Sequence, residues 1–302
     1  MLQIDWIDPQ GKTWDLTHGT QGVRLATDQS GLVYADFERV EDDSQRLVSI
    51  IRKNVELDLA VEIGTQPWLS DTEYYRLADE WWSRSVSTVK PGTLRVERPD
   101  GVTRQSRFTL NTAPDVTWKH DPGMRSYDRP PEPWQLIATS PWWDDLTGIK
   151  TVSYSKNQGI GFKKLYDGAY PLNFSPLKEQ NTARLQNDGV GPVYPKIEMT
   201  GYLKNPKVHV KTKQVDFTWQ WPGMINESNV IYISTEPRSF KSTIADRSGK
   251  NPLDISASFN FPYSSFPPIG PGESVTAMVE SEDIGENGKI TFSFIEKYPR
   301  PF

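Results

Sequence analysis

The sequence predicts a mainly β protein of two domains, an α+β first domain with one helix and an all-β second domain. Three observations carry this. The chain has 302 residues, and domains usually hold about 100–200. One segment alternates strictly between apolar and polar residues, and one carries a helix-capping pattern. From residue 151 onward, short β-rich runs recur between Gly, Pro and Asn clusters, with no helical period.

Leu2, Ile4 and Trp6 alternate with Gln3 and Asp5, which reads as a half-buried strand. Asp8-Pro9-Gln10-Gly11 is a turn, and Lys12–Leu16 returns as the second strand of a hairpin. In Val55–Ile63, Val55, Leu57, Leu59, Val61 and Ile63 take one face and Glu56, Asp58 and Glu62 the other, a strand with one wet face. Ser70-Asp-Thr-Glu73 is a capping box, and Tyr74, Leu77, Ala78 and Trp81 then share a helical face. Pro91-Gly92 stops that helix near 86–89. Thr93–Arg98, the Pro99-Asp-Gly101 turn and Val102–Leu110 form a β-hairpin. Residues 111–133 are proline-rich and aperiodic, an exposed arm. Trp134–Ala138 is a returning strand, and the domain boundary falls near Lys150, giving domains 1–150 and 151–302. The second domain's strands are Lys196–Met199, Lys207–Val210, Val215–Trp219, Val230–Ser234, Ser256–Phe261, Ser274–Glu280 and Lys289–Lys297. Their spacing indicates a sandwich or barrel.

Composition narrows function. There is no cysteine, so no disulfide or thiolate metal site. The N-terminus MLQIDWIDPQG has no basic leader followed by an apolar core, so no signal peptide is expected. No window approaches 18 apolar residues, so no membrane span is expected. Residues 1–150 hold 17 basic and 24 acidic side chains, a net of −7; the remainder nets +2. Neither half has the charge of a nucleic-acid reader.

Motifs for chemistry are weak. His18, His120 and His209 are far apart and no H-E-x-x-H occurs. There is no G-x-S-x-G elbow and no Walker A; Gly159-Ile-Gly161 lacks the βαβ context of a dinucleotide site. Asp144 and Asp145 are adjacent and would point to opposite strand faces, a poor glycosidase pair. Asp283–Ile290 echoes a calcium loop, but Phe294 stands where a bidentate Glu is needed, so it reads as a hairpin turn. No catalytic residue, metal or cofactor is expected. Trp219 and Trp221, two apart on a strand, are the candidate glycan platform.

The layout resembles the distal tail protein family of long-tailed (siphovirus) phages across nearly the whole chain. The first half carries the Asp8–Gly11 turn, the capped helix and the Pro99–Gly101 hairpin. The second carries Asn187, Gly189, Pro195, Ile197, Met199, Gly201, Asn205 and Pro206 in order, then FPPIGPGESV (Phe266–Val275) and the ending FSFIEKYPRPF (Phe292–Phe302). The resemblance implies a ring-forming first domain, its helix packed on a β-sandwich or split barrel, and a galectin-like sandwich second domain. It further implies a non-enzymatic virion protein at the distal end of the tail. There it would form a homo-hexameric ring joining the tail tube protein to tip or baseplate hub proteins, with DNA passing through an acidic lumen unretained. The arm at 111–133 would reach a neighbour, and Trp142, Trp143, Tyr298, Arg300 and Phe302 would anchor interfaces. The rival readings are a carbohydrate-binding receptor module and, third, a glycan-cleaving enzyme.

Overall fold

A computed structural model of the chain describes residues 1–27, 32, 36–44, 46–64, 70–85, 87–112, 131–155, 181–211, 216–236, 240–258 and 266–302. Most of the predicted arm, at 113–130, lies outside the described residues, as does His120. The protein is mainly β, with antiparallel sheets and one α-helix among the described residues. It divides into two units. One comprises Met1–Thr147 with Lys297–Phe302, the other Gly148–Glu296.

The first unit opens with β1 (Gln3–Ile7), β2 (Thr13–Asp15), β3 (Val23–Leu25), β4 (Asp36–Glu41), β5 (Leu47–Lys53) and β6 (Glu56–Ile63). It continues with α1 (Asp71–Ser85), β7 (Gly92–Glu97), β8 (Thr103–Thr112), β9 (Glu132–Ala138) and the start of β10 (Trp143–Ser155). The strands run in the order β2-β1-β7-β8-β9-β6-β3. β8 is the branch point. One edge pairs β7; the other pairs β10 at Arg104 and Gln105 and β9 from Phe108 onward.

The alternation read in Val55–Ile63 is realised in β6: Leu57, Leu59, Val61 and Ile63 are buried, while Glu56 and Asp58 are exposed. The predicted capping box forms. The Glu73 backbone N–H donates to Ser70 Oγ at 3.3 Å, and Ser70 N–H donates to Glu73 Oε2 at 3.0 Å. α1 buries Tyr74, Leu77 and Trp81 and ends at Ser85, just before the predicted stop. Trp81 lies edge-on to Trp14 and Trp134, at 5.2 and 5.5 Å between ring centroids, so indoles form the centre of this core. Asp8 holds the first turn to the helix. Its buried carboxylate accepts from Gln10 and Lys12 backbone N–H, from Trp14 Nε1 at 3.1 Å and from Arg84 Nε at 2.7 Å.

The second unit contains β11 (Asn181–Gln186), β12 (Lys196–Thr200), β13 (Leu203–Lys204), β14 (Lys207–Lys211), β15 (Asp216–Gln220) and β16 (Met224–Ile225). After these come β17 (Asn229–Ser234), β18 (Lys241–Asp246), β19 (Leu253–Asp254), β20 (Ser274–Glu280), β21 (Asp283–Ile284) and β22 (Lys289–Tyr298). Strands β19-β18-β17-β12-β22 form one sheet layer and β11-β20-β14-β15 another. Ile197, Met199, Ile231, Ile233 and Phe292 from the first meet Val208, Val210, Trp219, Val275 and Val279 from the second in one core. This is sandwich packing: two sheets, each turning its apolar face inward. The strand expected at 256–261 is instead a 3-10 turn over Ser256–Ser258, where Asp254 Oδ1 accepts the Ser256 N–H and diverts the backbone.

The turn-rich stretch around residues 187–206 consists of fasteners. Asn187 is fully buried. Its amide donates to the Gly191 and Ile269 carbonyls at 2.8 and 2.9 Å and its Oδ1 accepts from Gly189 N–H, fixing two loops together. Gly201 has φ +74°, and a Cβ there would sit 2.1 Å from the Asn287 carbonyl oxygen. The backbone approach that ends the sandwich at this corner admits only glycine.

Candidate functional site

In the first unit, the expected interface anchors gather along β8. Arg104 and Ser106 are two apart on this strand and both are buried. Arg104 Nε donates to Asp145 Oδ2 at 3.4 Å, its Nη1 donates to the Arg300 carbonyl at 3.0 Å, and its guanidinium lies 3.8 Å over the Tyr298 ring. Ser106 Oγ donates to the Trp142 carbonyl at 3.3 Å. The ending Lys297–Phe302 is therefore laced to the first unit. A planar guanidinium stacked on an aromatic ring while its edge donates hydrogen bonds is a geometry lysine does not reproduce.

Burial separates these residues. Trp143 is 4% exposed and packs on Phe108 with ring centroids 6.0 Å apart, so it is a core residue and the anchor role expected for it is corrected. Trp142 and Tyr298 are half-buried, and Arg300 and Phe302 are exposed. Only the exposed and half-buried members have surface to offer a partner.

The glycan platform expected at Trp219 and Trp221 is also corrected. Trp219 is 1% exposed inside the second unit's core, and Trp221 is half-buried against the same core. Their spacing does place both on one face, but that face is the inner one. Trp219 has no open ring for a sugar to stack on.

The residues weighed for chemistry do not converge. Asp145 is committed to Arg104 and to the Thr147 N–H at 3.0 Å. Asp283–Ile290 forms the turn between β21 and β22, closed by Gly288 N–H on the Gly285 carbonyl. Among the described residues no group of three or more His, Cys, Asp or Glu side chains is placed to hold a metal ion. His18 is paired with Asp15 at 3.2 Å on the surface. Burial pushes the Glu132 carboxyl up, against the opposing pull of the Trp134 and Trp82 indole N–H donors; it stands beside the tryptophan cluster.

One feature escaped the sequence reading. β4 and β5 form a two-stranded sheet of their own, from Asp36↔Lys53 to Glu41↔Leu47. Its tip is closed by Asp42 Oδ1, which accepts from the Ser44 and Arg46 N–H groups at 2.9 Å. Glu38 and Lys53 pair across it at 3.1 Å, and Ile51 is half exposed. A lone hairpin is marginal in water, so one kept outside the main sheet is a natural element for a neighbour to complete. The Asp42-Asp43-Ser44 turn was the available signal.

No protein-family model and no curated protein sequence matches the chain. Among solved structures the fold is similar to that of a chain of the phage P2 baseplate in its activated conformation with Ca, at 13% identity and a TM-score of 0.58. The likeness covers 100% of this chain and 99% of that one. No helix among the described residues is long and apolar enough to cross a membrane.

Proposed function

We propose that the chain is a structural, non-enzymatic protein of a phage tail. In this reading six copies close into a ring at the distal end of the tail and join the tail tube to the tip or baseplate. The observation that carries it is the end-to-end fold likeness to a phage P2 baseplate chain, which runs through both units with almost nothing left over on either side. Three further observations support it. The β4–β5 hairpin offers edges outside the main sheet. Trp142, Arg300 and Phe302 place aromatic and cationic surface on the first unit, the residue types that interfaces favour. The net charge of −7 over residues 1–150 fits a lumen that lets a polyanion pass without holding it.

Rings close because a heterologous interface repeats around an axis, so mass is the direct test. Light scattering across concentration, followed by negative-stain imaging, is expected to give a six-fold ring or monomers that form one when concentrated. A strict monomer at every concentration, including with purified tail-tube and hub proteins, would overturn the reading. Within a ring, replacing Ile51 and Phe302 by Asp is expected to raise the concentration needed for assembly at least tenfold.

A further inference from the structure

The register of the second unit lines up a row of side chains on the outward face of its β19-β18-β17-β12-β22 layer. Tyr232 on β17 stands opposite Glu198 on β12 and Thr243 on β18. Glu198 in turn stands opposite Thr291 on β22, whose hydroxyl lies 3.1 Å from Ser153 Oγ. The neighbouring residues of β17, Ile231 and Ile233, point into the core, which fixes the Tyr232 row on the opposite face. Tyr232 is 38% exposed, an unusual position for a large ring on a sheet otherwise sided with hydroxyls.

We propose that this face binds a neutral, hydroxyl-rich oligosaccharide, with Tyr232 as its stacking platform and Glu198 and Thr243 as its hydrogen-bonding flanks. Strands lie ~4.8 Å apart, so the two flanking groups stand roughly 10 Å from each other with the ring between them, a span suited to a sugar seated on the ring. Tyrosine supplies a rigid, amphipathic surface at low entropic cost. Glu198 makes no ion pair among the described residues, so its acceptors are open to hydroxyl donors. The charge pattern selects the occupant. Lys196 and Lys241 on the next row offset Glu198 and Asp254, so the face has neither the net positive charge a polyanion needs nor the apolar centre of a protein interface. Asp254 itself is occupied in holding Ser256.

This activity is separate from ring formation and stands or falls by itself. The test is an array of neutral and charged bacterial surface oligosaccharides probed with the full chain, the bound oligosaccharide then being titrated by calorimetry. Binding to a neutral oligosaccharide is expected, weakened at least tenfold in Tyr232→Ala and in Glu198→Gln and retained in Tyr232→Phe. Both residues are on the surface side of the sheet, so thermal melts of the variants should match the parent and serve as the folding control. The proposal is overturned if no oligosaccharide binds at millimolar concentration, or if binding survives both variants. Binding of anionic glycans alone, lost as salt is added, overturns it too. So does the finding that Tyr232→Ala abolishes self-association instead, which would make a second copy the occupant.

Discussion

Asp8 concentrates more of the first unit's architecture than any other single side chain, because one carboxylate satisfies a turn, an indole and a helix-borne guanidinium at once. Burial alone would raise its pKa; the Arg84 and Trp14 donors and the Lys12 and Gln10 N–H groups outweigh that and hold it below the usual carboxylate range. A carboxyl with a depressed folded pKa contributes stability that is complete above its unfolded value and is lost as pH falls through the folded one. Asp8→Asn should therefore lower the denaturant midpoint at pH 7 by about 2–4 kcal/mol, the cost of leaving a buried charge partner uncompensated. The difference from the parent should shrink in acid, as urea melts at pH 7 and pH 2.5 would record. Gly201 gives a second residue-scale test. Gly201→Ala must accept both a left-handed φ and a backbone collision with Asn287, at about 2–3 kcal/mol, read as a drop in Tm. The Gly201 position was legible as a turn residue; the Asn287 contact that makes it irreplaceable was not, since 86 positions separate the two.

At the element scale, what the sequence discloses tracks the range of the interaction. The α1 cap is settled within four residues and forms as read. The Pro99–Gly101 hairpin is as local: Arg98 N–H reaches the Val102 carbonyl at 2.8 Å and Gly101 takes φ +84°. Period two in β6 identifies a strand with one buried face, yet the same rule applied to Trp219 and Trp221 cannot say which side of the sheet is inside. That choice is made by strands β14 and β20, which no local pattern announces. The β4–β5 hairpin was missed because its alternation is broken, and its register shifts between Val40 and Glu41. The final segment is a further non-local element. Its hold on β8 runs through Tyr298 and Arg300 to Arg104, residues 194 and 196 positions away. Tyr298→Ala should destabilise the first unit by about 1–2 kcal/mol, the range of a desolvated cation–π contact. Hydrogen exchange should show faster opening in β8 while amides of β14 and β20 keep the parent's rates; uniform loss in both units would contradict this assignment.

For the whole molecule, two cores of similar make-up sit in one chain, one built around Trp14, Trp81 and Trp134 and the other around Trp219, Phe266 and Phe292. Eleven tryptophans in 302 residues looked like surface chemistry in the sequence, and much of that aromatic content is filling. The fold class was readable because it rests on summed local signals. The assembly role rests on exposed edges and loops, where composition says little about partners. The unit division carries one more consequence. Because Lys297–Phe302 belong with Met1–Thr147, the stretch from Gly148 to Glu296 is an insertion within the first unit's sequence. A ribosome making this chain releases the whole inserted sandwich before it releases Tyr298 and Arg300. The order of synthesis thus lets the unit encoded second finish folding first, while the unit begun first waits, with Arg104 unlatched, for the last residues to emerge.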